Sequence, residues 1–195
     1  MTRIVAEITM SLDGFVTGPD PGLDNGLGTG GEPLHIWAVD STDEVDAEVL
    51  RRSTEGTGAV VMGRRLFDII DGPNGWNEEM GYGAGHAALP PVFVVTHRAP
   101  GSWRLGPRFR FVDGVVGAVE QARAAAGGKD VVIMGGASVI AQALDGGLAD
   151  ELRLHLAPLV LGAGTPLFSG GSRCELTQRS VEVSPNATHL TYSVG

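Results

Sequence analysis

Short apolar runs alternate with helical periodicities along most of the chain. Residues 3–10, Arg-Ile-Val-Ala-Glu-Ile-Thr-Met, are mostly apolar and β-branched and predict a strand. Asp13-Gly14 is a turn signal, after which Phe15-Val16-Thr17 resumes an extended pattern. Residues 18–34 are dense in glycine and proline and predict a long irregular loop. Ser41-Thr-Asp-Glu44 has the form of a capping box, opening a helix to about Arg52. Gly58–Met62 is a short apolar strand, and Gly63-Arg64-Arg65 leads into a helix over Leu66–Ile70. Residues 71–90, with Trp76 and Tyr82, read as loop.

Pro91–Thr96 is the next buried strand, broken by His97-Arg98-Ala99-Pro100, and Arg108–Val112 alternates as a half-exposed strand does. Val115–Ala126 is alanine-rich and helical, stopped by Gly127-Gly128. Asp130–Met134 is a strand, Gly135-Gly136 a tight junction, and Ala137–Leu144 a helix ended by Gly146-Gly147. Glu151–Ala157 is another strand. Residues 175–183 and 188–194 flank Ser184-Pro-Asn186 as an antiparallel hairpin.

Strands and helices alternate through the middle and strands alone close the chain. That order predicts an α/β fold with a mixed, mostly parallel sheet and a C-terminal antiparallel hairpin. No repeat or shift of composition divides the 195 residues, so one domain over 1–195 is expected, large enough to bury a core without a staple. Hydrophobic residues make up 43% of the chain, which argues against disorder. The lone Cys174 excludes an internal disulfide and reads as a packing residue.

The net charge of −9 disfavours nucleic acid and anionic membrane surfaces as partners. No apolar stretch reaches the ~18 residues of a membrane span. A cytoplasmic protein with a small-molecule partner is expected. The five histidines (His35, His86, His97, His155, His189) show no paired ligand spacing, so no metal site is predicted.

In an open parallel sheet, ligands bind beyond the carboxyl ends of the strands. Three such ends suit phosphate: Met62-Gly63-Arg64-Arg65, Val95-Thr96-His97-Arg98, and Met134-Gly135-Gly136-Ala137-Ser138. Glycine lets an anion approach the backbone, a helix start offers unpaired N–H groups, and arginine supplies a fork of donors. Each junction alone also reads as an ordinary turn or a close strand-to-helix contact. Together they fit a ligand carrying several phosphates. Gly26-Leu-Gly28-Thr-Gly30-Gly31 is no dinucleotide fingerprint, because no strand precedes it and Pro33 follows.

These segments, with Ser11-Leu-Asp-Gly-Phe-Val16 and Pro158-Leu-Val-Leu-Gly162-Ala-Gly-Thr-Pro166-Leu-Phe168, resemble the dihydrofolate reductase-like superfamily over residues 3–168. Within it the chain is similar to the C-terminal reductase domain of the riboflavin-biosynthesis deaminase-reductase. The resemblance implies a three-layer fold with helices on both faces of the sheet, and an NADPH-dependent reductase acting on a C=N or C=O group of a small heterocycle. By position, Gly63, Arg64 and Arg65 would meet the cofactor phosphates. Thr96, His97 and Arg98 would surround the 2′-phosphate. Gly135, Gly136, Ala137, Ser138 and Val139 would cradle the pyrophosphate and the nicotinamide ribose, and Val16 would lie against the nicotinamide. In dihydrofolate reductase the peptide between the paired glycines is cis.

Two departures stand out. Counting back from Gly63 to the pterin-binding acid of dihydrofolate reductase lands near Ala47, between Asp46 and Glu48, and His155 stands where a threonine accompanies that acid. Relative to the compact reductases, residues 18–40, with His35 and Trp37, are an insertion, read either as a cover over the substrate end or as a surface loop. Asp13 and His155 are the polar candidates at the reacting end, beside the readings of Asp13 as a turn residue and His155 as a hydrogen-bonded strand histidine. The resemblance also admits 5-amino-6-(5-phosphoribosylamino)uracil reductase and a non-catalytic NADP-binding protein, and it allows a homodimer.

Overall fold

The structure is a computed structural model that describes residues 1–77, 80–82, 89–171 and 173–195. His86 and part of the 71–90 segment lie outside the described residues. The strands are β1 Ile4–Ser11, β2 Phe15–Thr17, β3 Thr57–Gly63, β4 Val92–Val95, β5 Phe109–Val112, β6 Asp130–Ile133, β7 Glu151–Ala157, β8 Thr165–Pro166, β9 Leu176–Val183 and β10 Thr188–Val194. The helices are α1 Ile36–Val39, preceded by a 3-10 turn over Glu32–His35, α2 Glu44–Gly56, α3 Arg64–Asp71, α4 Val115–Ala125 and α5 Ala137–Asp145.

Eight strands form one sheet in the order β5-β4-β3-β6-β1-β7-β10-β9. Pairing is parallel from β5 through β7, and β10 and β9 add antiparallel at one edge. This is the mixed, mostly parallel sheet with a C-terminal antiparallel hairpin that the sequence pattern predicts. Both faces are covered, as a mostly parallel sheet requires. On one face Ile4, Ala6, Val61, Phe93, Val131 and Ile133 pack with the apolar sides of α4 and α5. On the other, Val60, Met62, Val92 and Val94 pack with Phe67 and Ile70 of α3.

The helix after Ser41 starts differently from the expected capping box. Asp43 is the N-cap, its carboxylate accepting from the Val45 N–H, and the helix runs on to Gly56. Ser41 instead donates to the buried Asp46 at 2.5 Å. A hydroxyl shared with a buried carboxylate is the stronger bond, and Asp43 takes the cap. Residues 15–17 are extended as expected, but their partner is β8, in a second two-stranded sheet. Cys174 is exposed, which corrects the expectation that it packs.

One face of the sheet near its centre is polar. Side chains alternate across a strand, so Glu7 and Thr9 of β1 lie on the face opposite Ile4, Ala6 and Ile8. Register places Thr9 beside His155 of β7 and His189 of β10 on the other side of it. Trp37 of α1 and Asp46 and Ser53 of α2 cover these groups, and every one of them is buried.

Candidate active site

A cavity of about 770 Å³ opens at the carboxyl ends of β3, β4 and β6 and continues beneath α1 and α2. Its two ends differ in chemistry.

At the first end, α3 and α5 both begin at a glycine that offers no side-chain cap, Gly63 and Gly136. Their first-turn N–H groups therefore have no side-chain acceptor, on residues that line the cavity, and the helix dipoles add partial positive charge. The Gly63 N–H donates to the Gly135 carbonyl at 2.9 Å, which brings the two junctions together. A Cβ at Gly63 would come within 3.1 Å of Val139, so glycine permits the approach. Gly135 has φ +124°, a conformation that L side chains rarely adopt, and the Gly135-Gly136 peptide is cis. A Cβ on Gly136 would meet no protein atom, because the space beside it belongs to the cavity.

Arg64, Arg65, Thr96, His97, Ala137, Ser138, Val139 and Val16 also line the cavity. The arginines are held in place: Arg64 pairs with Asp68 at 2.7 Å and donates to the Arg98 carbonyl, and Arg65 donates to the Pro21 carbonyl. Arg98 departs from expectation. It contributes a carbonyl that also accepts from Thr96, and it is absent from the cavity wall. His97 is exposed and lies 2.6 Å from the Asp113 carboxylate. Two helix starts, two arginines and an open glycine backbone fit the pyrophosphate of a dinucleotide.

The second end is walled by Trp37, His35, Thr9, Glu7, Ser53, Tyr82 and His155. The Trp37 indole donates to Thr9 at 2.9 Å and lies 4.0 Å, centroid to centroid, from the His155 ring. His155 Nε2 is 3.3 Å from Glu7 Oε1, and its Nδ1 is 2.8 Å from Nδ1 of His189. His189 Nε2 in turn lies 2.8 Å from the Asp46 carboxylate, which also accepts from Ser41 and Asn186. On the other side of Glu7, Ser53 donates at 2.8 Å and Arg153 approaches at 3.4 Å. Tyr82 joins Ser53 and Thr57 through its hydroxyl.

Burial would raise both acids, and their partners overcome it. Bonds from serine, asparagine and His189 hold Asp46 down at about 2. His155, Arg153 and Ser53 hold Glu7 below its ordinary value. Burial and the charge of His155 lower His35, and burial lowers His189 against the pull of Asp46. Burial, then the Glu7 charge, raises the Tyr82 phenol.

The cavity thus gathers the expected His155, His35 and Trp37. It leaves out Asp13, whose carboxylate takes a hydrogen bond from Ser11 and the N–H groups of Leu161 and Gly162 and is thereby held at about 2. Those bonds make Asp13 a clasp between the β1–β2 turn and the segment before β8, outside the cavity wall. Trp76 packs beside α3 and Trp103 against Phe111, and neither lines the cavity. Glu7, Asp46 and His189 escaped the sequence reading of the site, although an acid at the centre of an apolar strand was a visible signal at Glu7.

Sequence comparison decides the family. The RibD C-terminal domain matches residues 2–190. The chain belongs to that family. It is 27% identical over 172 residues to the uncharacterized protein YyaP of Bacillus subtilis (strain 168), covering 85% of this chain and 80% of that protein. A candidate riboflavin biosynthesis protein from Shewanella sp. PV-4 has a similar structure, with TM-score 0.71 and 23% identity over 100% of this chain and 99% of that one. The diaminohydroxyphosphoribosylaminopyrimidine deaminase/5-amino-6-(5-phosphoribosylamino)uracil reductase of Thermotoga maritima superposes with TM-score 0.62 and 15% identity, covering 100% of this RibD C-terminal domain and 57% of that chain. Among the described residues, no helix is long and apolar enough to cross a membrane.

Proposed function

We propose that this RibD C-terminal domain is an NADPH-dependent reductase that transfers hydride to a C=N or C=O carbon of a small heterocycle lacking a phosphate. The observation that carries the reading is the division of one cavity into an anion-binding end and a polar, aromatic end. Family membership supports the reductase class. NADPH, when bound, supplies the hydride.

The chain's own residues supply the rest. The α3 and α5 N-termini with Arg64 and Arg65 would hold the cofactor phosphates, Gly135 and Gly136 would cradle the pyrophosphate, and Val16 would lie against the nicotinamide. Trp37, packed on His155 and tied to Thr9, gives the substrate a flat wall. Holding the two reactants face to face accounts for most of the acceleration. The polar end contains no arginine or lysine among the described lining residues, and it contains Glu7. A phosphoribosyl substrate brings a dianion that this end would repel, which argues against the uracil reductase of the riboflavin pathway.

Titration of the protein with NADPH, NADH and ADP tests the reading, followed by NADPH oxidation across a panel of cyclic imines and ketones. Tighter binding of NADPH than of ADP, and turnover of at least one phosphate-free compound, are expected. No binding of any of the three nucleotides refutes it. Binding without turnover across the panel favours the non-catalytic alternative.

A further inference from the structure

The histidine pair beneath the cavity has a proton count that its neighbours fix. His189 Nε2 faces the Asp46 carboxylate and His155 Nε2 faces the Glu7 carboxylate. An ionised carboxylate only accepts, so both Nε2 atoms carry a proton. Between the rings the two Nδ1 atoms are 2.8 Å apart, and there one must donate and the other accept. With every contact of the chain made, the pair therefore carries three protons on four ring nitrogens, a single positive charge shared by two rings between two acids. Other charged or titratable groups face it from each packed element: His35 in the turn before α1, Arg153 on β7, Glu182 on β9, and Tyr82. No buried side-chain polar atom among the described residues lacks a partner, so the chain is closed.

Its two ends are not equivalent. The His189–Asp46 contact is 2.8 Å and lies outside the wall of the main cavity, whereas the His155–Glu7 contact is 3.3 Å and lies in it. A second cavity of about 330 Å³ reaches Glu7, His155 and His189 from the other side, bordered by Arg52, Arg153 and Glu182.

We infer that the His155–His189 pair is the acid of the reduction, releasing its third proton from His155 Nε2 into the cavity, with Glu7 as the carboxylate that keeps it charged. This rests on the reductase reading. In the step, the substrate carbon gains hydride from the reduced nicotinamide, and the electron pair of the C=N bond moves to nitrogen. That nitrogen forms a bond to the His155 proton. The pair is left neutral with two ring protons, and one proton from solvent, reaching it through the second cavity, restores it. His189 and Asp46 are positioning residues, since they fix which nitrogen of His155 donates.

The test needs no substrate. Nitrogen-15 NMR of the full chain, labelled at histidine, reads the protonation of each ring nitrogen with and without NADPH. Three protons on the pair are expected below a single titration step in which both rings shift together. Glu7→Gln should move that step at least tenfold in proton affinity toward lower pH. Failure of the pair to take up a third proton while the protein stays folded, or rings that titrate separately, overturns the inference whether or not a substrate is known. With any compound turned over in the imine panel, Glu7→Gln and His155→Gln should lower kcat by about 10²–10⁴-fold while NADPH affinity stays within about twofold. Wild-type kcat should fall as pH rises through the step seen by NMR. A kcat insensitive to both substitutions also overturns the assignment, whereas loss of nucleotide binding in the wild type would instead refute the reductase reading.

Discussion

Removing the charge of Asp46 should destabilise the protein in a pH-dependent way. Asp46 is fully buried and accepts from His189 Nε2, Ser41 and Asn186. Asp46→Asn keeps the shape but presents one carbonyl and an amide where two acceptors stood, so at least one donor is stranded. Breaking a buried pair by altering one partner costs about 3–5 kcal/mol, and the carbonyl that remains reduces this to about 2–4 kcal/mol. Unfolding entropy of ~2.1 cal/mol/K per residue gives about 0.4 kcal/mol/K for 195 residues, hence a fall in Tm of about 5–10 °C near neutral pH. Folding lowers the Asp46 pKa to about 2, against ~3.9 in an unfolded chain. Its contribution is therefore complete above about pH 5 and is lost as pH falls toward 2, where the protonated acid resembles the amide. Calorimetry of wild type and variant at pH 7, 4 and 2.5 reads the difference. A Tm gap below about 2 °C at pH 7, or one that does not shrink at pH 2.5, would refute the reasoning.

Three further perturbations follow from the same geometry. Arg64→Ala should weaken NADPH binding by about 1–2 kcal/mol, roughly five- to thirtyfold, the loss being moderated because Arg64 already serves Asp68; fluorescence titration of the cofactor reads it. Asp113→Asn should act oppositely, since it removes a carboxylate from beside His97 at the expected 2′-phosphate position, and its gain should appear for NADPH and not for NADH. Gly164→Ala places a Cβ 1.9 Å from the Thr17 carbonyl at φ +140°, so it should part β2 from β8 and weaken nucleotide binding along with stability, measurable as a lowered urea midpoint.

The frame of the sheet was legible because it is written in local pattern: apolar runs of strand length, helices of clear period, and Gly-Gly or Pro-Asn at the breaks. The anion-binding end was legible for the same reason, since Gly63-Arg64-Arg65 and Gly135-Gly136 are contiguous in sequence as well as in space. The polar end was not. Its acids and histidines come from β1, α2, β7 and β10, and the register of β1 with β7 and of β10 with β7, together with α2 packed over them, brings them together. Counting along the chain placed the search for a pterin-type acid between Asp46 and Glu48, and Asp46 does belong to the network, one histidine away from the cavity wall. A helix position alone gives no hint of that step. Glu7 carries the more general lesson. In a central strand flanked by parallel neighbours, burying a carboxylate costs several kcal/mol unless partners offset it. Its presence in the run Ile-Val-Ala-Glu-Ile therefore predicts a buried cation or proton donor opposite it, and the strand register supplies Arg153 and His155 in that place.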